Sequence, residues 1–529
     1  LKPLRPRCVF PIALLRPAAR SKATHQAMER SPKAPRTGDA RALEVLSTEL
    51  LQPMLHHATT HGLVYADKTP GGDPSRCTQC PVEMLPNRLP RQVFEDAVAL
   101  SPLWNTLVDA VSRDLEWLHS ALEAAATADL FTKRLVEICK EVHREGLRQK
   151  AYLGIHRSDY MLHEPAGSEA HGSQFLQVEL NTVASSMGAH AGNVSTLHRF
   201  MVGRYSRGSG RAAKAMREFY SASGDGIDCD RHIPANCTLE RIPGALAKAH
   251  AHYGVEGSKV LMVVQPTERN FADQRFLEYR LWELHGVQMV RKTLAEVLRE
   301  GAMDPKSGRL TMGGEYEVSV VYFRSGYTPE DYVSEDEWQA RLLLERSLAI
   351  KSPSVAYQLV GAKKVQQALA APGVLERFLS ADESRQMRRC FAGLWGLGAG
   401  EDDEAIIRKA LAAPDGYVLK PQREGGGNNF YGQDVAEKLK EMSAEDRGAY
   451  ILMQRIVPRP RLAILTREGT AQVAPCISEY GFYSVFLGDG KSVYLSEHAG
   501  HLMRTKAEGV DEGGVAAGYA VISSPFLEG

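Results

Sequence analysis

A chain of 529 residues exceeds one ordinary domain and allows about two to four, or one large domain with insertions. Hydrophobic residues at 43% and charged residues at 24% exclude an intrinsically disordered chain and leave ample apolar material for a sizeable core. The 64 Lys and Arg balance the 64 Asp and Glu, which argues against a nucleic-acid binder, and no apolar run reaches membrane-spanning length, so neither nucleic acid nor membrane is expected as a partner.

The first 28 residues contain no Asp or Glu but carry Lys2, Arg5, Arg7, Arg16, Arg20 and Lys22. Such an acid-poor, Arg-rich segment has the composition of an organelle transit peptide; a disordered tail or translated upstream sequence with Met28 as the start is the alternative. From about Arg41 the apolar residues Leu43, Val45, Leu46, Leu50 and Leu51 recur at helical spacing, as do Phe94, Ala97, Val98 and Leu100 and then Leu107, Val108, Val111 and Leu115. Cys77 and Cys80 have metal or redox spacing, yet no further ligand pair follows at the usual distances. Eight cysteines scattered over so long a chain read as reduced thiols rather than a disulfide framework.

In 177–182 (Gln-Val-Glu-Leu-Asn-Thr), strand periodicity places Glu179 and Asn181 on one face. A carboxylate beside an amide oxygen suits a hard cation such as Mg²⁺; a solvated strand face is the plain alternative. Residues 203–232 carry glycine and serine at both ends and read as a partly disordered insertion, with room for a short helix from Arg211 to Tyr220. Between about 257 and 361, apolar runs at 260–264, 288–290 and 318–323 alternate with helical stretches such as 276–284, the pattern of an α/β unit with a parallel sheet.

The sharpest signal is 420–429, Lys-Pro-Gln-Arg-Glu-Gly-Gly-Gly-Asn-Asn. A helix (405–413) ends at Pro414, a short strand (417–420) leads into the glycines, and residues 429–432 form a turn or returning strand. Three glycines admit close approach of a ligand, and their N–H groups can cradle an anion. No Gly-Lys-Ser/Thr opens a helix, so this is not a Walker A loop. Residues 451–456 read as a buried strand. Arg504 and Lys506 share a strand face on which two cations can hold a carboxylate and a phosphate, and the small-residue loop 513–518 follows.

Taken in order, these segments resemble the eukaryotic glutathione synthetase family. The similarity is carried by 157–161 (Arg-Ser-Asp-Tyr-Met), 179–182, Glu268-Arg269-Asn270 with Asp273-Gln274-Arg275, 321–327, 341–347, 361–367, 420–429 and 501–506. It runs from about Leu89 to near the C-terminus and skips much of 203–232. It implies an α/β (α+β) ATP-grasp fold of the permuted type, a homodimer, ATP, and two Mg²⁺ per site. It divides the chain into a tail or transit peptide (1–40), the N-terminal part of the ATP-grasp and helical domain (41–256), an inserted substrate-binding domain with a parallel sheet (257–361), and the C-terminal part of the ATP-grasp domain with its glycine-rich lid (362–529).

The resemblance also implies residue roles. Nucleotide contacts fall on Lys363, Lys420, Gln422, Gly425, Gly426, Gly427, Asn428, Asn429, Tyr431, Met453, Gln454, Arg455, Ile456, Glu479, Lys506 and Glu512. The Mg²⁺ ligands match Glu179, Asn181 and Glu424. Substrate positions match Arg157, Ser185, Ser186, Glu268, Asn270, Gln274, Arg324, Tyr327, Arg504, Val515 and Ala516. Departures from the animal pattern are Ala184 for a substrate-contacting Ser, Glu512 for Asp, and Gln454-Arg455 for Glu-Lys, and the pattern is closer to the plant or algal branch. The implied reaction phosphorylates the C-terminal carboxylate of γ-glutamylcysteine, and glycine then attacks the acyl phosphate. Arg504, Lys420 and Glu424 are the expected catalytic residues, and Val515-Ala516-Ala517 are expected to favour glycine. A homoglutathione synthetase using β-alanine and a non-catalytic ATP-binding protein are the rival readings. The compartment expected is the cytoplasm, or a plastid or mitochondrion if the N-terminal segment is a transit peptide.

Overall fold

In the strand Thr470–Gly488, apolar side chains fall on both faces from Tyr480 onward. Alternate residues of a strand point to opposite sides of the sheet, so such a run must be covered twice. Tyr483, Val485 and Leu487 pack into one core with helices Gly188–Tyr205 and Thr238–Tyr253. Tyr480, Phe482 and Phe486 pack into a second core with helix Arg91–Arg113, through Phe94, Leu100 and Trp104. The computed structural model describes residues 37–67, 73, 75–165, 167, 173–224, 226–398, 400–422, 428–511, 513–515 and 518–529. Residues 1–36, the loop residues Glu424, Gly425, Gly426 and Gly427, and Glu512, Ala516 and Ala517 lie outside them.

Among the described residues, that strand belongs to a seven-stranded sheet in the order Arg461–Arg467, Val82–Glu83, Val521–Ser523, Val493–Ala507, Thr470–Gly488, Tyr152–His163, Gln174–Asn181. Strand 461–467 also pairs with 470–488, so five of these strands close on themselves. A second sheet carries strands Met289–Lys292, Lys259–Val263, Tyr316–Phe323 and Ile350–Ser352, all parallel, with a short antiparallel hairpin appended. This is the parallel unit that the alternation of strands and helices anticipates. Its helix Glu335–Arg346 is pinned by Arg341, fully buried, whose Nε donates to Glu345 Oε1 at 2.9 Å.

A third, antiparallel sheet takes the order Leu394–Trp395, Tyr450–Gln454, Tyr417–Pro421, Phe430–Tyr431. Helices Glu401–Ala412 and Gln433–Glu441 cover it through Ile406, Ile407, Val435 and Leu439. Strands 417–421 and 430–431 pair antiparallel, and the glycine-rich stretch lies between them in the sequence. No helix among the described residues is long and apolar enough to cross a membrane.

Two expectations are corrected. Helix begins at Thr37, ahead of Arg41. Residues 203–232 are not a partly disordered insertion: Gly188–Tyr205 runs into them, and helices Arg211–Phe219 and Cys229–His232 lie within them. Their glycine and serine content conceals an apolar face, since Ala213, Met216, Phe219, Tyr220 and Ile227 are buried and the buried Ser206 hydroxyl accepts the Ile227 N–H at 3.0 Å.

Cys77 and Cys80 do not form a redox pair. Cys77 is exposed on the strand Cys77–Gln79 and Cys80 is buried just past it. Three extended residue steps carry them roughly 10 Å apart, beyond the ~7 Å that a disulfide spans.

Glu83 is 3% exposed, beside Asn87, whose Nδ2 donates to it at 3.3 Å. Burial pushes its carboxyl up to about 7, against hydrogen bonds from Ser523, Thr505 and Asn87 that lower it. A carboxyl raised on folding binds its proton more tightly in the native state, so stability is greatest below the unfolded value near 4.5 and falls as pH rises to about 7. Glu83→Gln is therefore expected to raise the melting temperature at pH 8 and to leave it nearly unchanged at pH 4.5, measured by thermal denaturation at both pH values.

Candidate active site

Strands 152–163 and 174–181 pair with a register shift between Asp159 and Tyr160, which leaves Val178 as the extra residue. A bulge of this kind re-aims neighbouring groups. The Val178 carbonyl accepts Lys420 Nζ at 2.9 Å, drawing the lysine of strand 417–421 onto the face that carries Glu179. Lys363, the first residue of helix Lys363–Ala370, brings Nζ to 3.7 Å from Glu179 Oε2.

Burial acts to raise the Glu179 carboxyl, but Lys363, Lys420, Arg504 and Arg157 outweigh it and hold the group down to about 2. Glu179 is ionised throughout the physiological range. Asn181 Nδ2 donates to Glu179 at 3.4 Å and to Asp159 Oδ2 at 3.1 Å. With its nitrogen so engaged, its amide oxygen keeps its lone pairs for another ligand. Two hard oxygen ligands on one strand face suit Mg²⁺, which takes only one or two protein ligands and completes its shell with phosphate and water. No group of three His, Cys, Asp or Glu side chains able to hold a metal occurs among the described residues.

Strands 470–488 and 493–507 place Glu479 opposite Arg504, and Arg504 donates to both Glu479 and, at 3.1 Å, Asp159 Oδ2. Arg157 forks onto Asp159, Nε to Oδ1 at 2.7 Å and Nη2 to Oδ2 at 2.9 Å. Asp159 thus joins a substrate candidate, a metal-ligand candidate and a catalytic candidate, and it was not among the expected site residues. Its signal was present: Arg157 and Asp159 stand two apart on one strand face. Gly481, paired with Asp159, makes room for the fork, since a Cβ there would stand 2.6 Å from Asp159 Oδ1 and 2.8 Å from Arg157 Cδ.

Glu179, Lys363, Lys420, Glu479 and Arg504 line a cleft of about 430 Å³ between the third sheet and the large sheet, while Arg157, Asp159 and Asn181 stand behind its wall. Its polar wall includes Glu179, Lys363, Lys420, Asn428, Asn429, Tyr431, Glu479, Arg504 and Lys506, and its apolar wall Met161, Val418, Met453, Ile456 and Ile477. Lys506 Nζ donates to the Asp511 carbonyl at 2.5 Å. The N–H groups of Gln454 and Arg455 are taken by Gly393 O at 2.8 Å and Gly416 O at 2.9 Å, which shifts the edge open to a base toward Ile456. Gln422 is not on the cleft wall: its Oε1 accepts the Lys364 N–H at 3.1 Å, bracing the helix that carries Lys363.

The remaining substrate candidates gather on the loop and helices beside the parallel sheet. Glu268 accepts the Asn270 N–H at 2.7 Å and Gln274 Nε2 at 2.6 Å. Arg324 is 4% exposed, and Tyr327 accepts from Gln265 at 3.4 Å. Ser185 and Ser186 diverge. The buried Ser185 hydroxyl donates to Ile155 O and Asn181 O, both at 3.3 Å, and so serves the backbone. Ser186, half-buried, is held by its carbonyl, which accepts Arg157 at 3.2 Å and the Tyr483 hydroxyl at 2.5 Å. Val515 packs its side chain into the core, so it can meet a ligand only through its backbone.

Comparison with known proteins gives the same reading over nearly the whole chain. The family model for the eukaryotic glutathione synthase ATP-binding domain matches residues 44–527. The chain is 42% identical over 499 residues to the chloroplastic glutathione synthetase of Arabidopsis thaliana, covering 92% of this chain and 87% of that one. It is 38% identical over 483 residues to the glutathione synthetase of Homo sapiens, covering 90% and 96%. Among solved structures, a glutathione synthetase-like effector from Globodera pallida in apo form matches in fold with a TM-score of 0.70 at 23% identity, covering 92% of this chain and 97% of that one. The chain belongs to the eukaryotic glutathione synthase family.

Proposed function

We propose that the protein joins glycine to γ-glutamylcysteine at the expense of ATP, giving glutathione, ADP and phosphate. The observation that carries this reading is the ionised Glu179, held among Lys363, Lys420, Arg504 and Arg157 in the wall of a cleft with an apolar far side. A cleft with clustered cations at one end and apolar side chains at the other suits a nucleotide triphosphate.

A carboxylate does not acylate an amine, because oxide is a poor leaving group. Transfer of the γ-phosphoryl group to the γ-glutamylcysteine carboxylate creates an acyl phosphate from which phosphate departs when the glycine amine attacks. Such a transfer is catalysed chiefly by positioning and charge neutralisation. Lys363 and Lys420 act as point charges on the phosphates. Arg504, steadied by Glu479 and Asp159, faces the charge that develops on the acyl oxygen as the amine adds. Glu179 and Asn181 would hold Mg²⁺, together with Glu424 outside the described residues; when bound, the metal supplies charge neutralisation to the phosphate oxygens. Met453 and Ile456 pack against the base. Gly425, Gly426 and Gly427 would exclude water that hydrolyses the acyl phosphate.

Glu268, Asn270, Gln274, Arg324, Tyr327 and Ser186 take the γ-glutamyl end of the dipeptide. The working form is a homodimer, and residues 1–40 direct the chain to a plastid or mitochondrion, with the cytoplasm as the location if they are no leader.

The test is ADP release from purified protein with ATP, Mg²⁺ and γ-glutamylcysteine, given glycine, β-alanine or no amine. Turnover is expected to require both γ-glutamylcysteine and glycine, with glutathione detected by mass. Absence of turnover with every amine, in folded protein that still binds ATP, would favour the non-catalytic reading. One added methylene in a pocket is worth about 1–3 kcal/mol, so kcat/KM for β-alanine is expected about 10- to 200-fold below that for glycine. Asp159→Asn removes the anion shared by Arg157 and Arg504 and is expected to lower kcat/KM for γ-glutamylcysteine by about 10²-fold, read from steady-state kinetics.

A further inference from the structure

Asp273 lies on helix Phe271–His285, is completely buried, and has no role in the chemistry above. Both of its oxygens are engaged, and by two different elements. Oδ1 accepts the N–H of Ala189 at 2.9 Å and of His190 at 3.3 Å; Oδ2 accepts the N–H of Met187 at 3.0 Å and Arg324 Nη2 at 2.9 Å. The first three donors are the opening of helix 188–205, whose own N-cap residue, Met187, supplies no side-chain cap. A carboxylate from a distant helix takes up these orphan N–H groups and the positive end of the helix dipole.

The loop that this carboxylate fastens is under strain. Ala184 and Met187 hold φ of 48° and 73°, in the left-handed region that non-glycine residues avoid. Between them stand Ser185 and Ser186. Asp273 grips one arm of the guanidinium through Nη2, while Nη1 is buried without a well-formed hydrogen bond and interacts with the Tyr322 hydroxyl. A helix cap alone would not need the arginine, and a purely structural ion pair would meet Nη1 as well, since burial makes an unmet donor costly. Burial acts to raise the Asp273 carboxyl, and Arg324, His190 and the Met187 N–H outweigh it, so the group is ionised and holds its donors as charge-assisted bonds.

We propose that Asp273 is a positioning residue for the dipeptide subsite, aiming Arg324 at a carboxylate of the substrate and fixing the strained 184–187 loop against it. This rests on the subsite reading given above, in which Arg324 meets γ-glutamylcysteine. Asp273 itself touches no substrate and acts through its two dependents.

The experiment is steady-state kinetics on full-length Asp273→Asn, Arg324→Ala and the double variant, varying γ-glutamylcysteine and ATP separately, with melting temperatures alongside. In Asp273→Asn, KM for γ-glutamylcysteine is expected to rise about 10- to 100-fold, with kcat and KM for ATP within about threefold of the parent. The double variant is expected within about threefold of Arg324→Ala alone, since the carboxylate works largely through that arginine. Should the amide variant not fold, Asp273→Glu moves the charge by one methylene, and the same rise in KM is expected. An unchanged KM for γ-glutamylcysteine in either folded variant, even with a lowered melting temperature, leaves Asp273 a helix cap and overturns the proposal. Effects that multiply in the double variant overturn it as well. If Arg324→Ala leaves that KM unchanged, the subsite reading itself fails and the proposal falls with it.

Discussion

Asp159 keeps together two guanidinium groups, one on the wall of the cleft and one behind it, that would otherwise repel one another. Arg157 and Arg504 arrive from different strands, and both are largely withdrawn from water. Two buried cations without a shared anion would be costly, and a buried pair with one member removed typically costs about 3–5 kcal/mol. The same carboxylate accepts from Asn181, so the amide that stands beside Glu179 is oriented by the group that orients the arginines. Burial pushes the Asp159 carboxyl up to about 6, Arg157 and Arg504 pull it down and Glu479 pushes it up again, so the balance at this point is close. The cations of the cleft wall and the Arg157–Asp159 pair behind it are thereby one electrostatic unit.

That unit is laid out by strand register. Glu479 opposes Arg504, Ser478 opposes Thr505 and Ile477 opposes Lys506, while on the other edge Tyr483 opposes Arg157 and Gly481 opposes Asp159. The candidate site groups are therefore borne by paired strands more than by loops, an arrangement that favours alignment. The 184–187 loop is an exception.

Much of this was legible in the sequence. The parallel unit follows from apolar runs alternating with helices, and the strand, glycine loop and returning strand at 417–431 follow from local pattern alone. Glu179 with Asn181 and Arg504 with Lys506 share faces as a period of two requires. What could not be read depends on contacts between distant segments. That Ser185 turns inward and Ser186 outward is decided by Ile155 O and Tyr483, and that Gln422 braces a helix instead of lining the cleft is decided by the Lys364 N–H. Within 203–232 the short helix at 211–219 was legible between the glycine clusters, but the order of the flanking stretches was not, because their glycine and serine content outweighed the buried Ser206 and Ile227 in any local reading.

The strand 470–488 supplies alternate side chains to two separate cores, and this limits how the chain can change in length. Inserting one residue within that stretch would reverse the facing of every strand residue on one side of the insertion relative to the other, so that part of each core set would be turned into the other core. The turn at Asp489–Ser492, closed on itself by the Asp489 side chain accepting the N–H groups of Lys491 and Ser492, carries no such double duty. Length variation among descendants of this chain has an outlet at that turn and almost none along the hairpin it closes.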